Sequence, residues 1–208
     1  MTENTNNHYN YKQIIASLEK KGIELYGNHF KILEADYPII CRLIAYFLKD
    51  EISCYQYGID LNKGLLLSGP IGSGKTTLMN LMKLIAKPDN KFSVNPCREI
   101  SFEFIQDGYE VIHRYSKGKL YQSDTRTFCF DDLGTEKNLK YFGNECNVIA
   151  EIILCRYDLF INKKLKTHIT TNLSASEIEK NYGNRIRSRL RELCNLIAFD
   201  KATPDKRK

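Results

Sequence analysis

The sequence lacks an apolar run long enough to cross a membrane, and it contains no cysteine pair at C-x-x-C spacing. A membrane-spanning helix needs about 20 mostly apolar residues, and the polar, asparagine-rich residues 1–10 are unlike a secretory signal. The seven cysteines are odd in number, and Cys129 lies between two phenylalanines in an apolar run. We therefore expect buried, reduced thiols rather than disulfides or zinc ligands, no membrane partner, and a cytoplasmic location.

Internal repeats and low-complexity blocks are also missing from the 208 residues. A chain of this length, with 42% hydrophobic and 27% charged residues, suits one soluble α/β domain with a modest N-terminal extension. We expect residues 1–10 to be disordered, 11–59 to form a helical extension, 60–200 to form the core, and 201–208 to be a basic tail.

The formal net charge of +6 is concentrated near the C-terminal end of the sequence. Residues 185–208 contain eight basic and three acidic side chains. A basic end of this kind is compatible with nucleic-acid binding and equally with a solvated tail.

One segment matches the phosphate-loop pattern G-x-x-x-x-G-K-[ST] at every fixed position. It follows the apolar run Leu65–Leu67 and precedes an apolar helical pattern that Pro88 ends, the strand–loop–helix context that the motif requires. Its backbone N–H groups are expected to surround phosphate oxygens, Lys75 to contact the β- and γ-phosphates, and Thr76 to be a ligand of Mg²⁺. The predicted nucleotide-binding residues are Gly69, Pro70, Ile71, Gly72, Ser73, Gly74, Lys75, Thr76 and Thr77.

Around this loop, apolar runs of strand length alternate with helical patterns. The predicted strands are 65–67, 99–104, 127–130, 167–171 and 196–199, and the predicted helices are 11–21, 36–50, 106–116, 145–162, 174–181 and 184–194. Ser174 and Glu177 form a capping-box pattern that indicates a helix start. The alternation predicts a mainly parallel sheet covered by helices on both faces, with ligands bound beyond the carboxyl ends of its strands.

Two of these strands end in polar residues suited to the chemistry of a triphosphate. Thr127–Phe130 precedes Asp131, a candidate second source of metal-binding oxygen, and Asp132, a candidate for orienting or deprotonating the attacking water. Asn172 follows the strand 167–171, where its amide could hold a water or a γ-phosphate oxygen. The alternatives are that Asp131–Gly134 is only a turn and that Asn172 only begins the turn before Ser174.

Four arginines follow at alternate positions between residues 185 and 191. On a helix, Arg185 and Arg189 share one side of an apolar stripe, while Arg187 and Arg191 share another. One pair could reach a triphosphate on a neighbouring subunit, where a guanidinium stabilises the charge that develops during hydrolysis. The alternative is a solvated basic helix with ordinary surface ion pairs.

Taken together, residues 60–200 resemble the AAA+ ATPases of the DnaC/IstB type, which are bacterial helicase loaders and transposition helper ATPases. The specific stretches are Thr170–Ser174 and Tyr182–Leu190, in addition to the phosphate loop, Asp131–Gly134 and Arg156–Tyr157. The resemblance implies a three-layer α/β/α fold with strand order 5-1-4-3-2.

For the site, the resemblance implies that Asn172 is sensor 1 and that Arg185 or Arg189 acts on ATP in an adjacent protomer. It also implies that adenine lies against residues 27–33. Since few residues follow Arg185, we expect no separate lid domain and no lid arginine that contacts ATP. The family's helix after strand two can contact single-stranded DNA, and we assign residues 107–120 to it, with Tyr109, His113, Arg114, Tyr115, Lys117 and Lys119; an ordinary exposed helix is the alternative.

The expected function is that of a DNA-associated ATPase with ATP and Mg²⁺ as cofactors, which forms homo-oligomers with shared ATP sites. It would load or remodel a DNA-bound partner, a replicative helicase or, in an IstB-like transposition helper, a transposase. The alternatives are a non-hydrolysing, nucleotide-gated adaptor and a small-molecule kinase on the same loop.

Overall fold

A computed structural model describes residues 9–117, 126–136, 139–141 and 144–207 of the protein. Its strands are β1 (Gly64–Ser68), β2 (Ser93–Pro96), β3 (Phe128–Leu133), β4 (Leu139–Tyr141), β5 (Asn144–Cys146), β6 (Thr167–Thr171) and β7 (Cys194–Ala198). Its helices are α1 (Tyr11–Tyr26), α2 (Tyr37–Leu48), α3 (Glu51–Gln56), α4 (Lys75–Ile85), α5 (Cys97–Asp107), α6 (Tyr109–Lys117), α7 (Val148–Lys163) and α8 (Ala175–Leu193).

The central sheet is parallel throughout and has five strands in the order β2-β3-β6-β1-β7. Strands β4 and β5 form a separate antiparallel pair. If only the five strands of the large sheet are numbered, the order from its β7 edge is 5-1-4-3-2, so the predicted order is confirmed. At the start of β1, a side chain on Gly64 would lie 1.7 Å from the Thr167 carbonyl oxygen, so only glycine fits there.

Two apolar clusters cover the two faces of this sheet. Leu65 and Leu67 pack in one cluster with residues of α1, α2 and α4, while Leu66 packs in the other with residues of α5, α7 and α8. Successive strand residues point to opposite faces, so a run of three leucines serves both clusters. The result is the predicted α/β/α arrangement.

The helices of the predicted extension, α1 to α3, contribute to the same core as the phosphate-loop helix. Ile15 and Leu18 of α1 and Phe47 of α2 belong to the cluster that contains Leu65. The expectation of disorder in residues 1–10 falls mostly on residues 1–8, which lie outside the described part of the chain. Of the helices in the described residues, none is long and apolar enough to cross a membrane. All seven cysteines are free thiols, and five of them are buried.

The predicted strand 99–104 is wrong. This segment lies in α5, and the second strand of the sheet is Ser93–Pro96. Ile100 and Phe104 are buried, whereas Phe102 is 51% exposed, which is the four-residue spacing of one helical face rather than the alternation of a strand. The family's helix after strand two therefore corresponds first to α5, and Lys119 and Leu120 of the predicted DNA-binding stretch lie outside the described residues.

Near the C-terminal end, the two predicted helices 174–181 and 184–194 are joined in α8 by a kink at Gly183. Gly183 has a φ of 83°, a backbone conformation that favours glycine. The capping box at Ser174 is present, with the Ser174 side chain accepting from the Glu177 N–H and the Glu177 carboxylate accepting from the Ser174 N–H.

Candidate nucleotide-binding site

The phosphate loop connects the end of β1 to the first turn of α4. Gly72 and Gly74 have φ angles of 78° and 92°, which glycine adopts without steric cost. Ser73 and Lys75 are buried although both are polar. The loop therefore has the tight curl that directs successive backbone N–H groups, and the positive end of the α4 dipole, toward a bound anion.

The Lys75 side chain is hydrogen-bonded to the phosphate loop and to Asn172. Its Nζ donates to the carbonyl oxygens of Gly69 and Pro70, both at 2.9 Å, and to Asn172 Oδ1 at 2.5 Å. Burial lowers the pKa of Lys75, and the charges of Asp132 and Asp131 oppose that shift. The predicted sensor asparagine is thus in direct contact with the phosphate-loop lysine, and its NH₂ group is the end that could donate to a ligand.

Asp131 lies beside Thr76, as a shared metal site requires. The Thr76 hydroxyl is 2.9 Å from both carboxylate oxygens of Asp131, and the Thr170 hydroxyl donates to Asp131 Oδ1 at 2.6 Å. Asp131 is 4% exposed. A hydroxyl oxygen and two carboxylate oxygens in one place are the hard donors that Mg²⁺ prefers, so these residues fit the metal.

Asp132 has a different environment, because the register between β3 and β6 shifts between Phe130 and Leu133. Asp132 adopts a φ of 55°, and its N–H donates to the Thr170 hydroxyl at 2.9 Å. Its side chain lines the cavity described below. Burial raises the pKa of Asp132, and the charge of Asp131 raises it further. One aspartate is thus held among hydroxyls, and the next is exposed to the cavity.

A cavity of about 740 Å³ opens onto the phosphate loop, within the size range of ligand pockets. Its walls are formed by the loop, by Asp132 and Asn172, by residues 29–33 with Tyr26 and Asp36, and by residues 204–207. The segment predicted to contact adenine therefore faces the same space as the residues predicted to contact phosphate. The size of the cavity and its loop geometry fit a nucleoside triphosphate.

The fold of this chain is similar to that of known protein structures. No family model and no curated protein matches the chain. The structure of the DnaC helicase loader is similar with a TM-score of 0.57 and 18% identity, over 87% of this chain and 99% of that one. DnaI is similar with a TM-score of 0.54 and 20% identity, over 82% and 88% of the two chains. The chain therefore has the same fold as the DnaC and DnaI structures, as the predicted AAA+ fold requires.

A third AAA+ structure, AMPPCP-bound DnaA from Aquifex aeolicus, is similar with a TM-score of 0.51 and 14% identity. The match covers 82% of this chain and 48% of the DnaA chain. The nucleotide analogue AMPPCP is bound to DnaA in that structure, and the similarity of fold does not transfer this binding to the present chain.

The four arginines of α8 have unequal surroundings. Arg187 pairs with Glu179 at 2.5 Å, and the Arg189 guanidinium lies 4.7 Å from the centre of the Tyr157 ring. The Nε of Arg189 is buried without a hydrogen-bond partner among the described residues. Arg185 and Arg191 are exposed. The predicted pair Arg185 and Arg189 is therefore divided into one exposed side chain and one packed against α7.

The predicted DNA-contacting residues of α6 make several internal contacts. Arg114 pairs with Glu103 at 2.9 Å and with Asp107 at 2.7 Å, and the Tyr115 hydroxyl donates to Glu103 at 2.8 Å. Burial raises the pKa of Tyr115. Tyr109 and Lys117 are the exposed members of the set within the described residues.

One part of the cavity wall, the segment Pro204–Arg207, was not predicted from the sequence. We expected a basic tail there and no lid arginine near ATP, whereas Arg207 lies in the cavity wall. The only signal in the sequence was one acidic residue followed by two basic ones at 205–207, and it does not reveal the contact of Lys206 with Ser73, 133 positions earlier.

Proposed function

We propose that this chain is an AAA+ ATPase of the helicase-loader kind, which oligomerises on ATP and hydrolyses it to load or remodel a DNA-bound partner. The observation that carries the proposal is the meeting of Lys75, the Thr76–Asp131 pair and Asn172 at the carboxyl edge of β1, β3 and β6. The likeness to DnaC, which extends over 99% of that chain, supports the helicase-loader kind, with a replicative helicase as the preferred partner.

Each residue of the site has a role that follows from its chemistry. The phosphate-loop N–H groups and Lys75 bind the β- and γ-phosphates. Thr76 and Asp131 would hold Mg²⁺, which neutralises phosphate charge when it is bound. Asp132 orients the attacking water and accepts its proton, and the Asn172 amide holds the same water or a γ-phosphate oxygen.

For the arginine that acts on a neighbouring protomer, we propose Arg185. It is exposed, whereas the Arg189 guanidinium packs on the Tyr157 ring and would first have to leave that contact. An exposed guanidinium on α8 can enter a second subunit's site, where such an arginine accelerates phosphoryl transfer by about a thousandfold or more.

The proposal is tested by nucleotide binding and turnover at protein concentrations where the chain assembles. Lys75→Ala should abolish ATP binding. Arg185→Ala should leave ATP binding unchanged and reduce turnover. Arg191→Ala removes an exposed arginine of the other pair, and this variant should keep the turnover of the wild type. Wild-type turnover in both Arg185→Ala and Arg189→Ala would show that neither arginine acts in trans.

A second candidate is a nucleotide-gated adaptor that binds ATP without hydrolysing it. It is favoured by Asp132, whose side chain is one methylene shorter than glutamate and whose pKa is raised by burial. ATP-dependent oligomers with no release of phosphate, in the presence and absence of single-stranded DNA, would support this candidate.

The partner is identified by pull-down with ATP, with Lys75→Ala as the control that cannot bind nucleotide. Retention of a replicative helicase would support the loader, and retention of a transposase would support the transposition helper. Stimulation of turnover by single-stranded DNA, lost when exposed Tyr109 and Lys117 are replaced by alanine, would place DNA on α6.

A further inference from the structure

The chain after β7 turns back across the phosphate loop. The Phe199 N–H donates to the Ser68 carbonyl at 2.8 Å, and the Lys206 N–H donates to the Gly72 carbonyl at 3.1 Å. At Gly69, a side chain would lie 2.6 Å from Phe199 Cβ. The segment Phe199–Arg207, which we name the return segment, therefore contacts the loop at both of its ends.

Lys206 fixes the return segment in place. Its Nζ donates to Asp36 Oδ2 at 2.6 Å and to the Ser73 carbonyl at 2.7 Å, and it lies 5.1 Å from the centre of the Phe199 ring. The side chains of Lys206 and Asp36 are 21% and 7% exposed. Because both charges are largely withdrawn from water, this pair is screened less by salt than a surface pair. Lys206 is therefore an anchor and not part of a solvated tail.

Arg207 is held next to this anchor by Asp205. Its Nε and one terminal nitrogen donate to the two oxygens of Asp205 at 2.9 and 2.8 Å. A guanidinium has five N–H donors in a fixed plane, and this bidentate pair uses one edge of it. The other edge has the donor geometry that matches a phosphate.

The Asp205–Arg207 pair lies at the end of the cavity that the phosphate loop forms. Asp205 and Arg207 line the cavity together with Lys75, Thr76, Asp132 and Asn172. A side chain on Gly72 would lie 2.0 Å from Asp205 Oδ1, so the loop leaves room for this carboxylate. The pKa of Arg207 is raised by its hydrogen bond to Asp205 and, to a smaller extent, by the charge of Asp132.

We propose that the return segment is a built-in part of the nucleotide site, in which Lys206 anchors the chain and Arg207 binds the terminal phosphate in cis. The inference rests on the proposed ATP binding. It assigns to the C-terminal end the discrimination between nucleoside triphosphate and diphosphate, a property separate from hydrolysis and from any arginine of a neighbouring protomer.

The test measures the dissociation constants of ATP and ADP by titration calorimetry with the full chain. Arg207→Gln should weaken ATP binding by about tenfold, the loss of one charge-assisted contact, and should leave ADP binding within about twofold of wild type. Lys201→Gln is the matched control, because Lys201 is an exposed cation of the same segment outside the cavity wall. This variant should bind both nucleotides as the wild type does.

A second readout, amide hydrogen exchange, follows the anchor without nucleotide. Lys206→Met should increase exchange at residues 203–207 by about tenfold or more, since opening the segment would no longer break a buried ion pair. It should also weaken ATP binding more than Lys201→Gln does.

The outcomes separate this inference from the proposed function. If the wild type binds ATP, Lys75→Ala does not, and Arg207→Gln keeps the wild-type ratio of ATP to ADP affinity, the role of Arg207 is refuted and the proposed function stands. Unchanged exchange in Lys206→Met refutes the anchor. A wild-type chain that binds neither nucleotide refutes the proposed function and this inference together.

Discussion

Replacement of Arg156 by methionine should cost the protein a large part of its stability. Arg156 is fully buried, and its guanidinium donates to the Thr167 hydroxyl at 2.8 Å and to the carbonyl oxygens of Tyr115, Arg126 and Lys166 at 3.0, 3.2 and 2.8 Å. It also lies 5.1 and 5.7 Å from the ring centres of two phenylalanines of β3. No described carboxylate pairs with it, and burial lowers its pKa to about 9.

The magnitude follows from the groups that the substitution would leave behind. Methionine fills much of the volume and removes a buried charge, but three backbone carbonyls lose their donor. Each unsatisfied buried group costs about 1–3 kcal/mol, so we expect a loss of about 3–5 kcal/mol, against a typical total stability of about 5–15 kcal/mol. Arg156→Lys should lose less, because an ammonium retains the charge and some of the contacts.

Equilibrium unfolding in urea, followed by circular dichroism, measures this loss. Arg98→Met is the matched control, since Arg98 is exposed on α5, and its replacement should change the free energy of unfolding by less than about 0.5 kcal/mol. A loss below about 1 kcal/mol in Arg156→Met would refute the reasoning, because water or a rearranged backbone would then satisfy the carbonyls.

Two further predictions concern pH. Burial lowers the pKa of His168 from 6.5 to about 3, so the unfolded chain binds one more proton within that window, and stability should fall as pH decreases from 6.5 toward 3. Its share is about 1.4 kcal/mol per pH unit, measurable as a shallower pH slope of urea unfolding in His168→Phe, and an equal slope in both proteins would contradict it. Since burial and the charge of Asp131 raise the pKa of Asp132, turnover should decline, as the pH is lowered, at a higher pH than an exposed aspartate would give. Turnover that stays constant down to about pH 4, the ordinary range of an exposed aspartate, would argue against this.

The mistaken strand at 99–104 shows where periodicity is ambiguous. The segment Glu-Ile-Ser-Phe-Glu-Phe alternates polar and apolar residues, which is typical of a half-buried strand. Ile100 and Phe104, however, are four positions apart, so a helix buries both of them and leaves Phe102 outside. The true strand β2 was missed because Ser93, Asn95 and Pro96 are weak strand formers. As the edge strand of the sheet, it tolerates them.

The site was predictable to the extent that it follows from parallel topology. Asp131 lies near the carboxyl end of β3, and Asn172 directly follows the adjacent strand β6. Because the carboxyl ends of parallel strands meet at one edge, the sequence indicated that both residues lie close to the phosphate loop. The left-handed backbone conformation of Asp132 depends on a register shift between β3 and β6. No local sequence pattern predicts this shift. The contact of Lys206 with Asp36 joins residues 170 positions apart and depends on where β7 leaves the sheet.

The surroundings of Arg185 and Arg189 differ because α8 has a kink at Gly183. The sequence placed Arg185 and Arg189 on one face because they are four residues apart. Gly183 makes the second half of the helix begin immediately before Arg185, so Arg185 lies in its first turn and Arg189 one turn further, where the Tyr157 ring of α7 faces it. A shared face therefore does not mean a shared environment. An interface that recruits an arginine from α8 can use Arg185 at no cost to the fold, whereas recruiting Arg189 would break its contact with α7.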